Sequence, residues 1–294
     1  MLLDLVVIGL SIGFVYGLVA LGISLIYSGL DIVHFAHGEM YMLGAFIGLA
    51  VYADMGLAYP VALLVAVIGV ALFGMVIERV FYRRLTAAGG GITVAGMGII
   101  ICGFGMAIFL QNLAFLIWDP QPKPFPVNFG MPLEIGQVFY PKSYMWIVIT
   151  SLSLMVAFSL FMKYTKYGLA MRAVAKSKDI AFLSGINVPL LMSLTFAVAC
   201  GLAAAGGVLI GPINYVDILM GYFILMKAFA AAVVGGFGSL PGAVIGGLIV
   251  GVAESVCAFY LAGDLKDVYA FIILLLVLII KPTGLFGVET KIKA

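Results

Sequence analysis

The chain has 294 residues, 65% of them apolar and 10% charged, with a mean hydropathy of +1.26. Soluble domains carry about 45–50% apolar and about 25% charged residues, so lipid must solvate most of this chain. The same composition excludes disorder, and a net charge of +2 without a clustered basic face excludes a nucleic-acid footprint.

The chain opens MLLDLVVIGL, and its apolar run continues to Tyr27. No positive region precedes it, so it reads as a retained membrane span, not a cleaved signal. Apolar stretches near spanning length recur at 4–27, 36–53, 59–82, 93–117, 144–164, 189–210, 219–235, 242–262 and 268–281. The fold class expected is an all-α polytopic bundle of nine membrane helices, with a range of eight to ten, forming one domain over 1–294. The link 211–219 is too short to span and must be buried in protein or line a cavity. Cys102, Cys200 and Cys257 lie far apart within apolar runs and read as small buried hydrophobes.

Basic residues in the loops set the orientation. One set of loops holds Arg79, Arg83, Arg84, Lys163, Lys166, Arg172, Lys176, Lys178, Lys281, Lys291 and Lys293; the other holds Lys123, Lys142 and Lys266. Eleven against three places the N-terminus outside and the C-terminus in the cytoplasm. The 37 glycines include Gly242, Gly246, Gly247 and Gly251, a small-residue series that lets helices approach closely.

Two connections are not short. The outside segment 118–143 carries alternating Pro120, Pro122, Pro124 and Pro126, which stiffen the chain into an extended cover or a docking surface. The inside segment 165–188 is basic. Met171, Val174 and Ala175 fall on one helical face, and Ile180 and Leu183 follow a polar break, so two short amphipathic helices are expected at the membrane surface. Gly185 is placed to end the second.

Ionisable residues within spans are expensive and face a cavity or a partner. Lys227 and Glu254 stand near the middle of their spans. They form either a structural ion pair or two groups lining a translocation pathway, where a zwitterion's carboxylate favours Lys227 and its ammonium Glu254. His34, His37 and Glu39 form HFAHGE. Their spacing invites a metal, but His37 and Glu39 do not share a helical face, so no metal is expected. Gly38 allows a tight turn instead, and Glu39 suits a helix N-terminus. His37, Gly38 and Glu39 therefore read as one cytoplasmic turn or gate. Gly235, Gly236 and Gly238 read as another, with Ser239 available as a helix cap.

At the inside segment the chain resembles binding-protein-dependent ABC importer permeases. Their pattern is Glu-Ala-Ala, three residues, then Gly; here Asp179, Ala181 and Gly185 match it and Ile180 takes the middle position. GLAMRAVAKSKDIAFLSGIN (168–187), GLVALGISLIYSGLDIVHFAHGEMYMLGAF (17–46), KAFAAAVVGGFGSLPGAVIGGLIVGVAES (227–255) and KPTGLFG (281–287) resemble the high-affinity branched-chain amino acid permeases, in order and over nearly the whole chain. The similarity is strongest to the shorter of the two permease subunits. It implies a second permease subunit, two ATP-binding cassette ATPase subunits, an extracytoplasmic binding protein that delivers leucine, isoleucine or valine, residence in the plasma membrane, and no cofactor. A Walker A loop needs a Gly-Lys pair, and this chain has none, so another chain must hydrolyse ATP. The inside segment then couples to that ATPase. Arg172 and Asp179 are expected to make polar contacts there, with Met171 and Leu183 packing into a groove. A urea or short-chain amide permease of the same family is the alternative. An ion-coupled secondary transporter would want more midspan carboxylates than Glu254, and an intramembrane enzyme would want a catalytic His within a span.

Overall fold

A computed structural model describes residues 2–87, 92–135, 138–261 and 263–287; Lys291 and Lys293 of the basic count lie outside them. In lipid every backbone group must be satisfied internally, so the apolar runs become helices. In chain order these are α1 (Leu2–Leu30), α2 (His37–Leu49), α3 (Tyr59–Ile77), α4 (Arg83–Ala87), α5 (Ile92–Trp118), α6 (Lys142–Tyr164), α7 (Lys166–Lys176), α8 (Lys178–Leu183), α9 (Val188–Ile210), α10 (Met220–Gly235), α11 (Leu240–Tyr260) and α12 (Lys266–Ile280). A π-helical turn, Ala50–Asp54, extends α2, and another, Glu78–Tyr82, joins α3 to α4. A small antiparallel hairpin pairs β1 (Leu133–Ile135) with β2 (Val138–Tyr140).

Among the described residues, six helical stretches are long and apolar enough to cross a membrane: Asp4–Leu30, Tyr59–Thr86, Met97–Trp118, Lys142–Tyr164, Val188–Ile210 and Leu240–Tyr260. They answer six of the nine expected spans. The other three are shorter: α2 has 13 residues, α10 has 16 and α12 has 15. A running hydropathy average cannot separate a full span from a short helix continued by an apolar turn, which is the case at 36–53.

α1 and α9 form the centre, with α2, α10 and α11 packed against them and α3, α5 and α6 outside. Small residues set these distances. A Cβ on Gly13 would lie 2.9 Å from the Gly247 carbonyl oxygen, and one on Gly9 would lie 2.7 Å from Val252 Cα. Gly246 is pressed against the Ala231 carbonyl of α10. The glycine series of α11 thus serves two faces, Gly247 and Gly251 toward α1 and Gly242 and Gly246 toward α10.

The bundle has two dissimilar ends. At one, Lys178 Nζ donates to the Leu30 carbonyl at 2.9 Å, and the Tyr27 ring packs tilted against Phe237, centroids 4.2 Å apart. The end of α1, the α7–α8 pair and the α10–α11 turn therefore share it. At the other, the Pro-rich segment pairs with the link 211–219 through reciprocal backbone bonds of Lys123 and Val216. Phe125 is buried there, among Tyr52, Tyr59 and Gly211.

Candidate translocation site

Lys227 stands on α10 and Glu254 on α11, and the close α10–α11 packing brings them together. Lys227 Nζ donates to Glu254 Oε1 at 2.6 Å. Two further groups, not singled out in the sequence, complete the arrangement. Asp267 Oδ1, at the start of α12, lies 2.7 Å from Lys227 Nζ. Tyr16 Oη, from α1, accepts from Lys227 Nζ at 3.2 Å and donates to Glu254 Oε2 at 2.9 Å. Lys227 and Glu254 are each 7% exposed, while the Asp267 side chain is 37% exposed. One buried ammonium thus faces two carboxylates. Asp267 was hidden from sequence reasoning because it sits at a helix start, where an acid is ordinary; Tyr16 passed as one more apolar-run aromatic.

These groups line a cavity of about 560 Å³. Its polar wall includes Tyr16, Lys227, Glu254, Lys266 and Asp267, and its apolar wall includes Ile12, Ile213, Leu219, Phe223 and Ile224. Asn214, Tyr215 and Asp217 of the link 211–219 border it, at the end that carries the Pro-rich segment. The link is thus irregular backbone along a cavity, as its length required. A second recess of about 370 Å³, between α3, α6 and α9, is lined by residues such as Val67, Phe158, Phe161 and Gly201 and offers a polar solute nothing.

His37, Gly38 and Glu39 are buried at the start of α2. They do not form a turn at the end of the bundle. A Cβ on Gly22, well inside α1, would lie 2.5 Å from His37 Nε2 and 2.9 Å from the Ala199 carbonyl oxygen, so α2 begins beside the midpoint of α9. Residues 31–36 fold back into the bundle alongside Tyr82 and Phe196. Gly38 lies against the Gly221 carbonyl, so α2 and α10 begin next to each other inside the protein. The second expected turn does lie at an end. Gly236 (φ +106°) and Gly238 (φ +86°) adopt conformations only glycine takes easily, and Ser239 caps α11 by accepting from Gly242 N at 3.2 Å. Leu285 N and Phe286 N donate to the Val234 and Gly235 carbonyls and clip the following chain onto this turn.

Segment 165–188 does form two helices. Thr165 caps α7 through Gly168 N at 3.0 Å, and Ser177 caps α8 through Ile180 N at 3.3 Å. Gly185 ends the pair at φ +78°. Met171 and Ala181 are buried against the bundle and cannot enter an ATPase groove, because α7 packs on α1 and α9 and α8 packs on α7 and α9. Leu183 is 84% exposed, and Ile180, Phe182, Leu169 and Tyr167 are exposed beside it. Arg172 and Asp179 are exposed too, and Arg172 reaches the Lys163 carbonyl at 3.4 Å.

Two buried clusters were missed. Glu78 forms an ion pair with Arg83 at 2.8 Å and accepts from Ser193 Oγ at 2.6 Å, pinning the end of α3 to the start of α9. His34, His37 and Cys200 come together from the 31–36 link, α2 and α9, each with a ligand-type atom within 4.8 Å of the others. Cys200 stands 163 or more positions from both histidines in the sequence, so no local motif announces it.

Comparison with known proteins agrees with this architecture. Residues 5–278 match the model of the family described as branched-chain amino acid transport system, permease component. The chain is 39% identical to the high-affinity branched-chain amino acid transport system permease protein BraD of Pseudomonas aeruginosa, over 95% of this chain and 94% of that one. It is 36% identical to the corresponding LivH protein of Escherichia coli, over 95% and 93% of the two chains. The probable LivH permease of Methanocaldococcus jannaschii is 26% identical over 93% and 89%. Among solved structures, PsaBC from Streptococcus pneumoniae in complex with Fab matches with a TM-score of 0.51 and 15% identity, covering 97% of this chain and 93% of that one, a likeness of fold. The chain belongs to the family of branched-chain amino acid transport system permease components.

Proposed function

We propose that this chain is the membrane-spanning permease subunit of an ATP-driven importer for branched-chain amino acids, and that the cavity on Lys227 is its translocation site. The multi-pass membrane architecture and the family carry the first half of that reading. The second half rests on one observation: a buried ammonium held between two carboxylates beside an apolar wall. An amino acid presents the matching groups. Its carboxylate competes for Lys227, its ammonium competes for Glu254 and Asp267, and an aliphatic side chain takes the wall of Ile12, Ile213 and Phe223. A lone ion facing lipid would cost about 2.5–3.5 kcal/mol, a cost that the mutual pairing offsets.

In this reading α2, α10 and α12 complete nine membrane segments, with the N-terminus outside and the C-terminus in the cytoplasm. The distribution of charge supports it: Arg79, Arg83, Lys166, Arg172 and Lys178 gather at the α7–α8 end, and Lys123, Lys142 and Lys266 at the other. The chain carries no ATPase site of its own. The exposed Ile180, Phe182 and Leu183, with Arg172 and Asp179, form the surface on which an ATPase subunit pushes. A second permease subunit completes the membrane unit. An extracytoplasmic binding protein docks at the Pro-rich end.

Proteoliposomes test this. They contain the chain with its partner permease and ATPase subunits, binding protein outside and ATP sealed inside. Leucine uptake should require both ATP and binding protein, and isoleucine and valine should compete while urea does not. Ion-driven uptake by this chain alone would replace the proposal with a secondary transporter. An ATP-hydrolysing assembly that moves urea or amides but not leucine would replace the substrate.

A further inference from the structure

The His34, His37 and Cys200 cluster has no part in the site above, and its chemistry is specific. All three side chains are buried, at 2%, 0% and 0% exposure, and their ligand-type atoms lie within 4.8 Å of one another. His34 Nδ1 lies 2.7 Å from Tyr82 Oη. With that nitrogen donating to the phenol oxygen, the lone-pair nitrogen is Nε2, which is buried and has no hydrogen-bond partner. His37 has the Val19 backbone near it, yet neither of its ring nitrogens makes a hydrogen bond of standard geometry. Buried polar atoms in this state are costly, and a lone-pair nitrogen on each of two adjacent rings points to a ligand.

The surroundings make room for the cluster. A Cβ on Gly22 would lie 2.5 Å from His37 Nε2, and a Cβ on Gly74 would lie 2.7 Å from Cys200 Sγ. Two neighbouring helices thus carry glycine where any side chain would crowd the two groups. Glu39, the third ligand that local spacing suggests, faces Gly221 instead.

We propose that His34, His37 and Cys200 form a buried binding site for a borderline-soft divalent cation of the zinc type. Two imidazoles and a thiolate suit that class, and three protein ligands leave a fourth position for water. Bond lengths of about 2.0–2.3 Å place tetrahedral donors roughly 3.5 Å apart, so the ligands close in by about 1 Å on binding. The Cys200 thiol gives its proton to solvent as the metal–sulfur bond forms. Tyr82 holds the His34 ring in orientation through its contact with Nδ1. The ion ties the 31–36 link, α2 and α9 together at mid-bundle, and it enters as these elements assemble.

Cobalt(II) and zinc(II) test this on the full chain in detergent or nanodiscs. One equivalent should bind, and cobalt should give the near-ultraviolet thiolate-to-metal band. Cys200→Ser should abolish that band and weaken zinc binding more than ~100-fold, and Tyr82→Phe should weaken it by about 10–100-fold. The double variant Cys102→Ser/Cys257→Ser retains Cys200 as the single thiol and must keep the band, which guards against a misfolded Cys200→Ser. Absence of binding, a cobalt complex without the thiolate band, or a band lost in the double variant would each overturn the site.

Discussion

α9 and α5 are both long apolar helices, of 23 and 27 residues, yet 72% of the most apolar stretch of α9 is buried in protein and only 28% of that of α5. The difference lies in side-chain size. From Gly201 to Gly207, α9 presents glycines and alanines that let α2 and α3 approach closely, while α5 projects Ile101, Ile108 and Leu116 outward. Lipid and protein are equally apolar solvents, so hydropathy cannot tell these faces apart; packing at small residues can.

Enlarging the central helix should be the most damaging change. Gly207 lies against the Tyr41 carbonyl, so Gly207→Leu should cost more than ~4 kcal/mol and yield no monodisperse protein on size exclusion. A folded Gly207→Leu protein would mean that α2 and α9 are not locked together. Next comes charge inside the centre. Lys227→Met leaves Glu254 and Asp267 unpaired, which should cost about 3–5 kcal/mol of stability. The triple variant Lys227→Met/Glu254→Gln/Asp267→Asn should regain thermal stability. Leucine uptake should stay at least ~100-fold down in the triple variant, whereas recovered uptake would reduce the cluster to a structural pair.

Smaller effects belong to the surface. Ile180→Ser/Leu183→Ser removes exposed apolar area at α8, so folding should be unchanged while ATPase assembly weakens by about 2–4 kcal/mol, read by co-purification. The Arg172→Ala/Asp179→Ala double variant should uncouple ATP hydrolysis from uptake to a lesser degree. Smallest is the outward face of α5: Ile108→Ala and Leu116→Ala should change the unfolding midpoint by less than ~0.5 kcal/mol equivalent.

Much of the fold was legible because lipid imposes one rule on every span. The helical class, the six long spans, the α7–α8 pair and the Ser239 cap all follow from local pattern. The two short elements at 36–53 and 219–235 were also placed by that pattern, but not their position inside the bundle, because the contact between Gly38 and Gly221 that sets it joins residues far apart in sequence. The same holds for the site. Lys227 and Glu254 were visible as charges out of place, but Tyr16, Asp267 and Cys200 are ordinary residues in ordinary local contexts, made special by what folding brings beside them. Met171 was misassigned because periodicity locates an apolar face without saying whether its partner is the same chain or another.

The bond from Tyr16 to Glu254 joins residues 238 positions apart. At roughly 5–20 residues per second, a ribosome needs about 10–50 s to make that interval. For all of it α1 is in the bilayer without α11, its glycine face uncovered and its tyrosine hydroxyl without the carboxylate. α1, made long before α11, is therefore among the last helices to be completed. A chain stalled or truncated before residue 240 leaves the cell a membrane segment with an exposed polar face, the kind of feature by which unfinished proteins are recognised and removed.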